Sequence, residues 1–171
     1  MSLLVHLTNV LNLVCPVREV FGLRCCLYRA SGIKVGRGTR ITHGVAFYDR
    51  YITIGDAVWI GPGTRLFSTS KGHITIEDNV DIAPCCCIMS GTHEIGDEIR
   101  RAGAGDGKDV RIGAGTWVGG HSSILPGAII GPGCLVAAGS VVIAGEYPAN
   151  SLLAGVPARV RRTLGFNECT P

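Results

Sequence analysis

The chain is poor in aromatic residues and poor in charge. Phe, Trp and Tyr make up 6% of its 171 residues, and charged residues 17%. So few large rings argue against layers packed by aromatics and for a tightly wound, turn-rich backbone. A formal net charge of +3 without a basic stripe excludes a dedicated nucleic-acid binder. No run of about 20 apolar residues is present to span a bilayer, and the opening residues lack the basic start of a secretory signal. C-x-x-C pairs are absent, so the eight cysteines do not read as zinc ligands. Nor do they read as a disulfide framework, since Cys25 and Cys26 are adjacent, as are Cys85, Cys86 and Cys87. Small apolar fillers in a reducing, cytoplasmic compartment is the expectation for most of them.

Glycine, by contrast, is abundant at 25 residues, in a chain that is 46% hydrophobic. The apolar residues recur every six positions. Val35, Ile41 and Phe47 form one run; Ile54, Ile60 and Leu66 the next; then Ile76, Ile82 and Ile88; then Ile112, Val118, Ile124, Ile130, Val136 and Val142. Many are followed by glycine, as at Gly36, Gly55, Gly61, Gly113, Gly119 and Gly131. Four residues after the anchors stand small or β-branched side chains: Thr39, Val45, Val58, Thr64, Val80, Cys86, Thr116, Ser122, Ala128, Cys134 and Ser140. Neither a helix nor a plain alternating strand gives this pattern. A short strand plus a tight turn does, with three such units making one triangular coil and stacked coils pairing in parallel.

This pattern resembles the hexapeptide-repeat acyltransferases over residues 33 to 160. The resemblance implies a mainly β fold, a left-handed parallel β-helix. Residues 1–32 are expected to form a helical cap segment, residues 94–109 an inserted loop, and residues 161–171 a C-terminal tail. Smaller slips in the repeat fall between Phe47 and Ile54 and between Leu66 and Ile76. The large break lies between Ile88 and Ile112, and breaks in a repeat are where function gathers.

The segment I-M-S-G-T-H-E-I at the entry to that break is similar to the T-H-P or S-H-D segment of sugar and polysaccharide O-acetyltransferases of the maltose/galactoside and colanic-acid/capsule type. The resemblance gives His93 the role of general base. An imidazole titrates near neutrality and can take the proton of an acceptor hydroxyl. Glu94, Asp97 and Asp81 are the candidates for acceptor contacts. Asp97, Glu98 and Asp81 are the carboxylates that could orient the base, and the sequence does not choose among them.

The run G-T-W-V-G-G-H-S-S-I-L-P-G resembles the segment beside the donor in the same enzymes. It implies that Trp117 lines the acyl channel and that Gly119 and Gly120 let a pantetheine arm approach the backbone. Trp59, in A-V-W-I-G-P-G, is expected only to cover a coil corner. The closing stretch from Val136 to Arg162 resembles the family's C-terminal signature. It implies a backbone contact from Ala138 and phosphate contacts from Arg159 and Arg162 to acetyl-CoA, since guanidinium groups pair well with phosphate. Relatives often carry Thr-Lys where this chain has Ile143-Ala144, so a donor contact there is missing or replaced. No metal is required.

Leu3, Leu4, Leu7, Val10, Leu11 and Val14 share one helical face, with Pro16 ending the stretch. A second segment mixes apolar residues with Arg18, Arg24 and Arg29. Two readings apply to residues 1–30: a cap over the open edge of the first coil, or a basic amphipathic contact with the inner face of a membrane. Its F-G-L-R-C-C-L-Y-R-A-S-G-I-K-V-G resembles the entry of capsule, O-antigen and exopolysaccharide acetyltransferases. The family further implies a homotrimer with sites between subunits and a glycan or small-molecule acceptor. Transfer to the amine of an amino sugar is the nearest rival. A zinc carbonic anhydrase on the same fold needs three histidines, and His6, His43, His73, His93 and His121 offer no close pair on one coil. A structural β-helix needs no loop at all.

Overall fold

The computed structural model describes residues 3–14 and 20–165. Short parallel strands wind into a triangular prism with three faces, which we label A, B and C in the order the chain visits them. Face A holds strands 34–35, 52–54, 74–76, 110–112, 128–130 and 145–147. Face B holds 40–41, 59–60, 81–82, 117–118, 135–136 and 151–155, and face C holds 46–47, 65–67, 87–89, 123–124 and 141–142.

All fifteen anchors of the six-residue repeat point into the prism and are buried. They stack in columns, as in the pairings Ile54 with Ile76, Ile76 with Ile112 and Ile112 with Ile130. Burying each such side chain is worth about 1.5–3 kcal/mol, so the columns carry the fold. The small residues four positions on are buried too. Of the cysteines, Cys25, Cys86 and Cys134 are buried and unbridged, and burial pushes all three thiols up from their ordinary range.

The glycines that follow anchors answer to crowding rather than to backbone conformation. At Gly119 an added Cβ would stand 2.6 Å from the Ala138 nitrogen of the next coil. That differs from the expectation that Gly119 frees space for a ligand: its open side is filled by the neighbouring coil. The left-handed positions are elsewhere, at the corners, where Cys85 (φ 62°) and His121 (φ 59°) take places that glycine fills in other coils.

All three breaks in the repeat fall on one edge of the prism, where face C hands over to face A. They comprise residues 48–51, residues 68–73 and the long insertion after Met89. The last is more ordered than the inserted loop expected over residues 94–109. Gly91–Ile95 and Ala102–Gly107 pair antiparallel, so the insertion is a two-stranded hairpin that starts three residues earlier. The tail also differs from expectation at its start. Ala158–Thr163 folds back antiparallel on Ser151–Gly155 and covers the last open edge of face B; residues 166–171 lie outside the described residues.

Two helices, α1 (Leu3–Val14) and α2 (Phe21–Ala30), close the first coil. Pro16 and Arg18 lie outside the described residues. The cap is made by the side of α1 that carries Val5, Thr8 and Asn12, with Asn9 beside them, the reverse of what its leucine stripe suggests. Asn9 Nδ2 donates to the Phe47 carbonyl at 2.7 Å and Asn9 Oδ1 accepts from the Phe47 amide at 3.1 Å. Asn12 Nδ2 donates to the Val45 carbonyl at 2.7 Å. The exposed strand edge at Phe47 has unpaired backbone groups, and an amide side chain satisfies them where a leucine cannot.

Candidate active site

The edge between faces C and A carries a ridge built from the three insertions. Tyr48 and Phe67 stack with ring centroids 4.1 Å apart and 16° between planes. Lys71 Nζ donates to the Gly105 carbonyl at 2.7 Å, and Ser90 Oγ to the Gly72 carbonyl at 2.6 Å. Gly107 packs so closely on Thr69 that an added Cβ would lie 2.7 Å from its hydroxyl. The base of the hairpin is therefore locked to the insertion of the coil beneath it.

His93 stands on the first strand of this hairpin, opposite Gly105. It is exposed, and its imidazole makes no hydrogen bond with any described residue. An added Cβ at Gly105 would meet nothing within 4 Å, so the space flanking the ring is open. Glu94 is exposed beside it. The candidate orienting carboxylates are placed elsewhere. Asp97 Oδ1 accepts from the amides of Ile99 (3.1 Å) and Arg100 (2.9 Å), which closes the hairpin turn. Glu98 is exposed at that turn. Asp81 lies on face B, the one face that does not meet this edge. Within one chain, then, none of the three orients His93.

Asp81 keeps other company. Trp59, Asp81 and Trp117 are consecutive partners in the ladder of face B and share its outer surface. A shallow groove of about 420 Å³ is lined by Trp59, Asp81, Ala83, Pro84 and Trp117. A second hollow of about 200 Å³ adjoins it at Trp59, with Phe21, Thr42, His43 and Pro62. The Trp59 ring meets Phe21 of α2 at 5.9 Å. Trp59 is thus a member of the groove, not merely a corner cover. The signal for it was its place directly before a face B anchor, as Trp117 is before Val118.

The ladder continues from Trp117 through Leu135 and Leu152 to Arg162. A register shift between Leu152 and Leu153 leaves Arg161 without a ladder partner, and so brings Arg162 opposite Leu152 and Arg159 opposite Ala154. Both arginines therefore sit at outward positions of face B, Arg162 in the column of Trp117 and Arg159 one column over. Arg161 Nε donates to the Ala154 carbonyl at 3.1 Å and Arg159 Nη1 to the Ala158 carbonyl at 3.0 Å. Ala138 is exposed at the neighbouring corner and Gly120 half-exposed; the atom nearest an added Cβ at Gly120 is the Pro84 carbonyl oxygen, at 3.3 Å. An open strip thus runs from the tryptophans, past accessible backbone at Gly120 and Ala138, to two guanidinium groups. It suits a long ligand with an apolar or amide arm and an anionic end. Among the described residues, no three His, Cys, Asp or Glu side chains gather to hold a metal ion, and no helix is long and apolar enough to cross a membrane.

Comparison with known proteins follows the same lines. Residues 109–144 match the family model described as bacterial transferase hexapeptide (six repeats). The galactoside O-acetyltransferase of Escherichia coli strain K12 is 31% identical over 138 residues, which cover 70% of this chain and 68% of that enzyme. Two further curated relatives are matched over 61% of their own length. Among solved structures, a maltose O-acetyltransferase from Clostridium difficile 630 superposes with a TM-score of 0.81 at 27% identity, covering 94% of this chain and 84% of that one. A hexapeptide-repeat acetyltransferase of Vibrio cholerae O1 biovar eltor, complexed with acetyl coenzyme A, gives 0.82 at 26% identity, covering 95% and 86%.

Proposed function

The chain belongs to the hexapeptide-repeat transferase family that includes galactoside O-acetyltransferase, and on that premise we propose that it moves an acetyl group from acetyl-CoA to a hydroxyl of a sugar or polysaccharide precursor. The observation that carries this reading is the imidazole of His93. It is exposed, free of any partner among the described residues, and mounted on a paired hairpin rather than a slack loop. A base must reach the proton it removes, and a rigid support keeps it in place while the acceptor arrives.

The donor reading rests on face B. Acetyl-CoA supplies a thioester whose carbonyl carbon an alcohol can attack, with the CoA thiol leaving. Arg159 and Arg162 would pair with its phosphates, Gly120 and Ala138 would border its amide arm, and Trp117 would flank the acyl end. His93 would take the hydroxyl proton as the oxygen attacks, so that transfer is direct and no residue of the chain is acylated. Glu94 would meet the acceptor beside His93. Asp81, between two tryptophan rings, is suited to accept hydrogen bonds from sugar hydroxyls.

Within one chain His93 and Trp117 lie on opposite sides of the prism. A working site therefore takes the hairpin of one copy and face B of another, and a closed ring of three copies supplies such pairings repeatedly. The test is calorimetric titration with CoA beside an acetylation assay, for the wild type and His93→Ala. Salt-sensitive CoA binding retained in the variant, with turnover lost, supports the assignment. Unchanged turnover in His93→Ala removes the base, and no binding at millimolar CoA removes the donor site.

A further inference from the structure

Helix α1 presents its apolar side outward. Leu3, Leu7, Leu11 and Val14 are between 49% and 74% exposed, whereas Val5, Thr8 and Asn12 are buried. Leu23 of α2 is 57% exposed beside them. Between the helices an apolar slot of about 130 Å³ opens, lined by Leu11, Val20, Leu23 and Leu27 among others. Leaving so many aliphatic side chains in water is costly at about 25 cal/mol per Å² of apolar surface, and soluble monomers rarely expose a contiguous patch of this kind.

The charge around this patch identifies its partner. Residues 1–50 hold seven Lys and Arg against two Asp and Glu, while residues 51–171 hold nine against eleven. No Asp or Glu occurs on α1. Lys34, Arg37, Arg40 and Arg50 are all exposed. Lys34 and Arg40 stand on the first-coil strands of faces A and B, Arg37 at the corner between them, and Arg50 at the edge between faces C and A. They form a cationic collar around the same end of the prism that α1 and α2 close. A helix with an aliphatic outer side, flanked by cations and too short at 12 residues to span a bilayer, suits the interface of an anionic lipid surface.

We infer that this end of the prism docks peripherally on anionic membranes, with α1 lying in the headgroup region and the collar against lipid phosphates. The test uses the full chain and co-sedimentation with phosphatidylcholine vesicles, with and without phosphatidylglycerol. Binding is expected only to the phosphatidylglycerol vesicles, and added salt should weaken it. Leu7→Asp with Leu11→Asp should abolish binding, and Lys34→Glu with Arg40→Glu should weaken it roughly tenfold or more. These side chains are exposed, so circular dichroism should be unchanged, and light scattering is run in parallel. Absent binding to anionic vesicles overturns the inference, as does binding indifferent to the leucine pair. A fall in particle mass for the leucine variant, without vesicle binding by the wild type, assigns the face to a second copy instead.

Discussion

Trp117 and Arg162 stand in the same outward column of face B, separated by Leu135 and Leu152. At about 4.8 Å per strand they are roughly 14 Å apart, with Arg159 one column over. Replacing either arginine by alanine is expected to raise KM for acetyl-CoA about 10- to 100-fold, since a charge-assisted contact is worth about 1.5–3 kcal/mol. The effect should shrink as salt rises. Arg161→Ala should change KM less, because the register shift leaves Arg161 without a partner in the ladder that aligns the other two arginines. Steady-state kinetics over a salt series reads both.

Gly119 and Gly120 are adjacent, but they are expected to respond differently. Gly119→Ala forces a methyl against the Ala138 backbone at 2.6 Å and should cost about 1–3 kcal/mol of stability, as overpacked sites do. At Gly120 the nearest atom is 3.3 Å away, so Gly120→Ala should cost less stability and act mainly on donor affinity. Urea denaturation and CoA titration of the two variants separate the effects.

Glu77 ties one coil to the next. Its carboxylate accepts from Arg111 Nε at 2.7 Å and from the Ala114 amide at 2.8 Å. Burial pushes the carboxyl up, but these two hydrogen bonds and the Arg111 charge outweigh it, leaving the group below its ordinary value. A depressed carboxylate stabilises the folded state above its unfolded pKa and loses that contribution as pH falls through the folded one. Glu77→Gln should therefore melt at lower temperature than the wild type at neutral pH. The gap should narrow as the solution is acidified below the usual glutamate range, and a gap that widens there would contradict the assignment. The pair is partly exposed, so the gap is expected to be modest.

How far the sequence could be read follows from which contacts are local. Ile112, Val118 and Ile124 are placed by a six-residue rule that each coil repeats, and the prism follows from it. The register breaks after Phe47, Leu66 and Ile88 all follow the third anchor of their coil, so their convergence on one edge is written in the same rule. The orientation of α1 is not. Its leucine spacing states that one side is apolar, but the side that packs is chosen by the unpaired backbone at Phe47, some 38 residues from Asn9. The register shift that aligns Arg159 and Arg162 depends on how the last strand folds back, which no periodicity encodes. Asp97, Glu98 and Asp81 are indistinguishable as partners for His93 in the sequence, because the Ile99 and Arg100 amides that engage Asp97 Oδ1 depend on how the hairpin turn closes.

The proposed site joins the hairpin of one copy to face B of another. Co-expression of His93→Ala chains with Trp117→Ala, Arg162→Ala chains tests it most directly. Each variant alone should have little acetyl transfer from acetyl-CoA. In mixed assemblies some interfaces would unite an intact His93 with an intact face B, and activity should reappear in the purified hetero-oligomer. If hetero-oligomers form and remain as inactive as either variant alone, the shared site is wrong.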